Sequence, residues 1–333
     1  MVRRLSTVLA RFFRTEVAGG IFLIASCAIA LIFANSPLSS DYTNFWNPSK
    51  NFISEGLMSV FFFLVGLEIK REFDQGELRK PKSAALPIIA AMGGMLTPAF
   101  IYLLLNHSGD GANGWAVAMP TDIALSLGAL ALLGSRIDTS LKIFLLTLAI
   151  ADDLGSIIVL AVFYSGGISP VRIASTIGAV LLAWILPLKK IISTDRLISF
   201  IHPWTSFLII PLFALVNIGV RFDVHNLSHL ISSPVSAGLI IGRVVGKICG
   251  ITFFAWFAIK IGIAQKPNSL TYKEIAGAGA LAGMGLTVSL FIAELAFKDP
   301  LSLDQVRAGL LIAALISATI GLIYLRKVSF KQD

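Results

Sequence analysis

The stretch LLTLAIADDLGSIIVLAVF, residues 145–163, carries two adjacent aspartates, Asp152 and Asp153, in the middle of a long apolar run. A helix of about 20 such residues crosses the roughly 30 Å hydrocarbon layer of a bilayer. A charged side chain at the bilayer centre costs about 2.5–3.5 kcal/mol on insertion scales, so these acids need partners or a wet cavity. The stretch therefore predicts a membrane-spanning helix with an ion-pair network or a functional site at its middle.

The whole chain has the composition of a membrane protein, because 56% of its 333 residues are hydrophobic and only 14% are charged. Soluble domains carry roughly 25% charged residues. The net charge of +8 lies in short loops between apolar runs, which argues against a nucleic-acid partner. The two cysteines, Cys27 and Cys249, match no metal-ligand spacing, and nothing in the sequence indicates a cofactor.

About ten apolar runs are long enough to cross a bilayer, and they predict an all-α polytopic fold in one domain over residues 1–333. The predicted spans are 17–35, 53–69, 84–105, 113–134, 141–164, 168–188, 200–220, 234–259, 273–297 and 305–325. With the N-terminus inside, the basic residues that fall in outer loops are only Lys50, Arg172, Arg221, Lys298 and Arg307. This asymmetry predicts that both termini are cytoplasmic.

Two further charges, Asp122 and Lys247, lie in the middle of predicted spans. Pro120 lacks an N–H group and clashes with the preceding turn, while Thr121 and Asp122 are good N-caps. The fourth span is therefore predicted to consist of two half-helices, with Asp122 at the positive end of the second. A structural ion-pair network between helices is the alternative explanation for Asp122 and Lys247.

The adjacent acids favour an ion-binding site at the middle of the membrane. Asp152 and Asp153 point about 100° apart on a helix, yet both can border one cavity. Carboxylate oxygens are hard ligands that suit hard cations, and such a pair can exchange protons for a cation. Spans 84–164 and 234–325 are predicted to form inverted repeats, each with an interrupted middle helix at the membrane midplane.

Several segments together give the chain a resemblance to the NhaA-type Na⁺/H⁺ antiporter family of bacteria. They are FFFLVGLEIKRE (61–72), PTDIALSLGALALLGSR (120–136), LKIFLLTLAIADDLGSIIVLAVFY (141–164), HPW (202–204), PLFALVNIGV (211–220), VGKICGI (245–251) and GALAGMGLTVSLFIAELAF (279–297). The resemblance implies a secondary active transporter, not an enzyme, in the bacterial inner membrane. It implies electrogenic exchange of Na⁺ for protons, with Li⁺ as a second candidate cation.

The resemblance also assigns roles to residues of this chain. Asp152 and Asp153 match the acidic pair that binds Na⁺ and protons. Thr121 and Asp122 match residues at the crossing point of the interrupted helix. Lys247 matches a lysine that pairs with the first aspartate and balances helix dipoles.

Glu68 and Glu72 match acids at the cytoplasmic entrance of the family, and an ordinary interfacial charge cluster is the alternative for both. His202, in the HPW segment, is expected to be an interfacial residue.

The chain departs from the family in length and in one buried cation. It lacks about two spans between Asp153 and His202, and the loop 36–52 lacks the hairpin through which relatives dimerise, so a homodimer is left open. Arg243 lies one turn before Lys247 and is expected to weaken Na⁺ binding. Two alternatives follow: a degenerate, non-transporting relative, and an intramembrane aspartyl protease, which the missing GxGD signature disfavours.

Overall fold

The structure is a computed structural model that describes residues 2–134, 137–164, 170–187, 193–220 and 227–329. The longer helices are α1 Val2–Ala34, α2 Ser39–Trp46, α3 Phe52–Gln75, α4 Pro81–Leu105, α5 Asp110–Ala118, α6 Ile123–Leu132, α7 Thr139–Phe163, α8 Pro170–Ile185, α9 Thr194–Asn217, α10 Leu227–Ser232, α11 Pro234–Lys260, α12 Tyr272–Ala282, α13 Thr287–Ala296 and α14 Pro300–Ser329. The label α5 is kept for a 3₁₀ helix, and two short 3₁₀ helices cover Asn47–Ser49 and Glu77–Arg79. No strand occurs in the described ranges, which agrees with the predicted all-α fold. Among the outer-loop cations, Arg221 lies outside the described residues.

Membrane-length helices account for most of the predicted spans. Within the described residues, seven helices are long and apolar enough to cross a bilayer, and two bent pairs raise the number to nine. The predicted span 168–188 coincides with a shorter apolar helix, Ile173–Ile185, so ten full-length spans are not reached. The described part of that segment is too short to meet the length of about 20 residues that a straight crossing requires.

The two bent pairs are α5 with α6 and α12 with α13, and their axes turn by 49° and 51° at the breaks. The first break lies at Pro120, where the sequence predicts it, and Asp122 caps α6 by accepting a hydrogen bond from the Leu125 N–H. The second break follows Ala282 and contains Gly283 and Gly285. Broken helices leave backbone donors and acceptors unpaired inside the protein, so the two breaks need each other's polar groups.

Close packing of α4 against α11 fixes the helix that carries both buried cations. A Cβ atom built on Gly93 would collide with the carbonyl of Gly250, and one built on Gly250 would collide with the carbonyl of Gly93. Small residues at such a contact allow two helix backbones to approach closely in a membrane. Within α11, the segment Gly242–Gly246 is a π-helical turn immediately before Lys247, a local widening that often marks functional positions.

Candidate functional site

The breaks of the two bent pairs cross and hydrogen-bond directly to each other. The Asp122 N–H donates to the Met284 carbonyl at 2.9 Å, and the Thr121 hydroxyl donates to the Ala282 carbonyl at 3.1 Å. The Ser126 hydroxyl adds a bond to the carbonyl of Leu281 at 3.0 Å. The crossing thus satisfies backbone groups that neither broken helix could satisfy alone.

Asp122 lies between the N-terminal ends of two half-helices. One carboxylate oxygen accepts from the Leu125 N–H in the first turn of α6, and the other accepts from the Thr287 hydroxyl at 3.0 Å. Thr287 is the first residue of α13. A carboxylate at this point faces the positive ends of both helix dipoles, which stabilise a negative charge.

Lys247 and Asp152 form a fully buried ion pair beside the crossing. The Lys247 Nζ lies 2.8 Å from Asp152 Oδ2, and neither side chain is exposed. The same ammonium donates to the Thr121 hydroxyl at 2.9 Å, so it is tied to the break of the first pair. Asp152 Oδ1 is buried and has no hydrogen-bond partner among the described residues.

Asp153 differs from its neighbour because it borders a cavity and forms no salt bridge with a basic side chain in the described part of the chain. Its Oδ1 atom is buried without a hydrogen-bond partner in the described part of the chain. The cavity is about 40 Å³, which is room for roughly three water molecules. The polar side chains that line it include Glu16, Glu68, Thr121, Asp122, Asp153 and His202.

A buried cluster of Glu16, Glu68 and His202 lines the same cavity. His202 Nε2 lies 2.5 Å from Glu16 Oε1 and 3.9 Å from Glu68 Oε1. His202 is only 5% exposed, so protein encloses the histidine, and the expectation that it lies at the membrane interface stays a prediction. Sequence reasoning also missed Glu16, although an acid at the start of the first apolar run is a detectable signal.

The two predicted entrance acids occupy different surroundings. Glu68 lines the cavity, and its Oε1 atom has no hydrogen-bond partner among the described residues. Glu72 is also buried, but its Oε1 accepts from the Glu77 N–H at 2.8 Å, and it is absent from the cavity lining. Glu72 therefore closes the turn that follows α3, whereas Glu68 is available to the cavity.

Arg243, the extra cation one turn before Lys247, contacts the crossing of the two broken helices. Its side chain is fully buried and donates four hydrogen bonds. The acceptors are the carbonyls of Gly283 at 3.1 Å, Val117 at 3.0 Å and Pro120 at 2.6 Å, and the hydroxyl of Ser289 at 2.8 Å.

The charges at the crossing do not balance when all are ionised. Asp122, Asp152 and Asp153 supply three negative charges, whereas Arg243 and Lys247 supply two positive charges. One proton or one Na⁺ ion is enough to neutralise the remainder. The unpaired oxygens of Asp152 and Asp153 are hard ligands, and the cavity provides room for water to complete the coordination of a hard cation.

Two broken helices that cross at a cluster of buried charges define a polytopic α-helical membrane protein of the ion-transporter class. Comparison with known proteins then gives the particular group. The chain belongs to the family described as Na⁺/H⁺ antiporter 1, whose sequence profile matches residues 10–193 and 172–325.

Curated relatives support the same assignment over nearly the whole chain. The Na⁺/H⁺ antiporter NhaA of Shewanella sp. strain MR-7 is 38% identical over 382 residues, which cover 96% of this chain and 98% of that protein. The protein of the same name from Shewanella baltica strain OS195 is 38% identical over 378 residues, covering 95% and 97%. Both alignments are longer than the 333 residues of this chain, so these relatives contain segments that it lacks.

Proposed function

We propose that this protein exchanges Na⁺ for protons across the bacterial inner membrane, with Asp152 and Asp153 as the shared ligands. The observation that carries the proposal is the contrast between these neighbours. Asp152 holds the ammonium of Lys247, whereas Asp153 faces a cavity and has an oxygen without a hydrogen-bond partner in the described residues. Membership of the antiporter family and the names of the Shewanella relatives support the same cation and the same counter-ion.

The proposed cycle is a competition between cations for the two carboxylates. A proton on Asp153 and the ammonium of Lys247 on Asp152 neutralise the site when Na⁺ is absent. Na⁺ binds both carboxylates as Asp153 loses its proton and Lys247 leaves Asp152. Only a loaded site, carrying either its protons or Na⁺, switches between the two sides of the membrane, because an empty site would leave buried carboxylates without a partner.

We propose that exchange is electrogenic, with two protons moved for each Na⁺. One proton leaves Asp153, and the second leaves Lys247 when its ion pair with Asp152 opens. One net charge then crosses the membrane in each cycle, worth about 2.3 kcal/mol per 100 mV. Li⁺ is the second candidate substrate because it is also a hard monovalent cation that suits carboxylate ligands.

The cavity gives the proposed route between the ion pair and the cytoplasm. Glu68, Glu16 and His202 line it together with Asp153, so a hydrated cation would meet acidic groups before it reaches the paired acids. We assign the entrance role to Glu68 and a structural role to Glu72, whose Oε1 accepts the Glu77 N–H. Both termini lie in the cytoplasm in this proposal, as the distribution of Lys and Arg predicts.

The order of helices supports the inverted repeats 84–164 and 234–325. Each unit runs from a continuous membrane-length helix through a bent pair to a second continuous helix, with closely similar bends of 49° and 51°. Rocking of one bundle of helices against another would expose the crossing to each side in turn.

The proposal is tested by Na⁺-driven proton flux in proteoliposomes. Asp152→Asn and Asp153→Asn should each abolish exchange while the proteins remain folded. Asp41→Asn, the same substitution at an exposed residue of α2, should exchange like the wild type. Full exchange by both buried variants would refute the proposed site, and a wild type without flux would favour the degenerate relative.

A further inference from the structure

We infer that Arg243 is a positioning residue that neutralises the negative ends of both broken helices and thereby leaves Lys247 to pair with Asp152 alone. The inference rests on the proposed Na⁺ site at Asp152 and Asp153. Arg243 then balances the helix dipoles and Lys247 pairs with Asp152, although both residues lie on the same helix, α11.

Three of the four acceptors of Arg243 are carbonyls at or just beyond the C-terminal ends of α5 and α12, the first halves of the two bent pairs. The carbonyls of Val117 and Pro120 are at the end of α5, and the carbonyl of Gly283 directly follows α12. The last carbonyls of a helix have no partner within the helix and carry the negative end of its dipole. A guanidinium can bind several such oxygens at once because its N–H donors fan out in one plane.

Arg243 has a counterpart of opposite charge on the other half of the crossing. Asp122 contacts the first turn of α6 and the first residue of α13, so it faces the two positive ends. One anion thus lies at two helix N-termini, and one cation lies at two helix C-termini. The four helix ends are compensated without the participation of Lys247.

Lys247 contacts a side chain of the crossing but none of these carbonyls. Its described hydrogen bonds go to Thr121 Oγ1 and Asp152 Oδ2. Since Pro120, which accepts from Arg243, directly precedes Thr121, the guanidinium lies close to the Lys247–Asp152 pair. The fixed positive charge of Arg243 at this place repels Na⁺. Because the guanidinium already binds the carbonyls, the ammonium of Lys247 does not have to bind them.

The second break is built to admit the guanidinium. A Cβ atom on Gly285 would collide with Nη2 of Arg243 and with the carbonyl of Pro120. A Cβ atom on Gly283 would lie 2.9 Å from the Arg243 carbonyl. The absence of a side chain at Gly285 therefore makes room for the guanidinium, whereas Gly283 makes room for Ser317 and for the backbone of Arg243.

The test compares Arg243→Leu and Arg243→Lys in proteoliposomes at one pH, with rates expressed per folded transporter. In Arg243→Leu, the KM for Na⁺ should fall about fivefold, the effect of roughly 1 kcal/mol. The reason is that a repelling charge is lost and that Lys247 is drawn from Asp152 towards the bare carbonyls. The maximal rate should fall as well, because the four hydrogen bonds that the Arg243 guanidinium donates to the crossing are lost.

Arg243→Lys should restore the KM for Na⁺ but only part of the maximal rate, because an ammonium keeps the charge and not the planar set of donors. Arg307→Leu is the matched control, since Arg307 pairs with Asp304 away from the crossing. An unchanged KM in Arg243→Leu, with only less folded protein, would show a purely structural role and overturn the inference. If the proposed Na⁺ site were wrong, the result would be different: Asp152→Asn and Asp153→Asn would still exchange Na⁺ for protons.

Discussion

The two cations at the crossing of the broken helices differ in their hydrogen bonding from the acids Glu68 and Asp153 of the neighbouring cavity. At the crossing, Arg243 donates four hydrogen bonds and Lys247 donates two. In the cavity, oxygens of Glu68 and Asp153 are buried and have no hydrogen-bond partner among the described residues. The comparison indicates that the partnered groups fix the architecture and the unpartnered ones are available to a transported ion.

Energetics supports this division of roles. A buried polar group without a partner costs about 1–3 kcal/mol, so a fold retains one only where another requirement outweighs stability. Two carboxylates of this kind around one cavity suit a site that must bind and release cations. Substitutions at the crossing should therefore reduce stability, whereas substitutions in the cavity should reduce transport at nearly constant stability.

The largest effect is expected from Lys247→Met, which leaves Asp152 buried without its cation. Breaking one side of a buried ion pair costs about 3–5 kcal/mol, so the free energy of unfolding in SDS should fall by that amount. Na⁺ should restore part of the loss, because it can replace the ammonium beside Asp152. Unfolding titrations of the purified protein with and without Na⁺ would measure both effects.

The double variant Asp152→Asn/Lys247→Met is the matched control for this experiment. It removes both charges, so its stability should exceed that of Lys247→Met and should no longer respond to Na⁺. A Lys247→Met protein as stable as the wild type would mean that the pair does not hold the crossing together.

The next largest effect is expected from Thr287→Val, which removes the hydroxyl that donates to Asp122 at 3.0 Å. A hydrogen bond to a charged group contributes about 1.5–3 kcal/mol, and the unfolding free energy should fall by about that amount. Thr319→Val is the control, because within the described residues the exposed Thr319 hydroxyl donates to the carbonyl one turn earlier and makes no contact with the crossing. An equal decrease of the unfolding free energy in the two variants would contradict the claim that hydrogen bonds at the crossing stabilise the protein more than an exposed one does.

Much of this arrangement could be predicted because it is carried by residue type and order along the chain. Apolar run length gave most of the spans, and Pro120 followed by two N-cap residues located the first break. Because charges are rare in lipid, Asp122, Asp152 and Lys247 could be singled out from the sequence, and all three lie at or beside the crossing of the broken helices. These signals are local and need no knowledge of how the helices pack.

The remainder depends on packing and could not be read from local patterns. Glu16 and His202 are 186 positions apart, and nothing in either segment specifies the other as its partner. Three of the four acceptors of Arg243 are backbone carbonyls, which have no signature in the sequence. The same limit applies to Glu68 and Glu72, which are one turn apart on α3 yet contact different groups.

A smaller effect on stability is expected from Glu68→Gln, which tests the cavity side of the comparison. The carboxylate of Glu68 has an oxygen without a hydrogen-bond partner in the described residues. The free energy of unfolding of the protein should therefore change by less than about 1 kcal/mol in this variant. The KM for Na⁺ should rise roughly fivefold, because a negative charge that attracts the cation is lost. Transport and SDS unfolding of one preparation would measure the two quantities, with Glu77→Gln outside this cavity as control.

A Glu68→Gln protein that lost stability but kept its KM would reverse the comparison. The cavity would then be a structural site like the crossing, and the proposed entrance role of Glu68 would have to be abandoned.

The smallest effect is expected at Asp138, a partnered acid outside the membrane-spanning segments. It caps α7, the helix of the acidic pair, and accepts the Ser140 N–H at 2.7 Å, which lowers the pKa of the carboxyl from its ordinary value of 3.8. Asp138→Ala should lower the unfolding free energy by about 0.5–1 kcal/mol at neutral pH. Asp138→Ser should keep most of the cap, and neither variant should change the KM for Na⁺.

The pH dependence of that loss has a defined sign. Because the folded pKa is depressed, the stabilisation by the Asp138 charge is present above the unfolded pKa and disappears as the pH falls through the folded pKa. The difference between the wild type and Asp138→Ala should therefore shrink below about pH 4 in unfolding titrations. A stability difference between the two proteins that stayed constant down to about pH 2 would mean that the charge of Asp138 does not stabilise the fold. A changed KM for Na⁺ would mean that a hydrogen-bonded acid outside the cavity also takes part in transport.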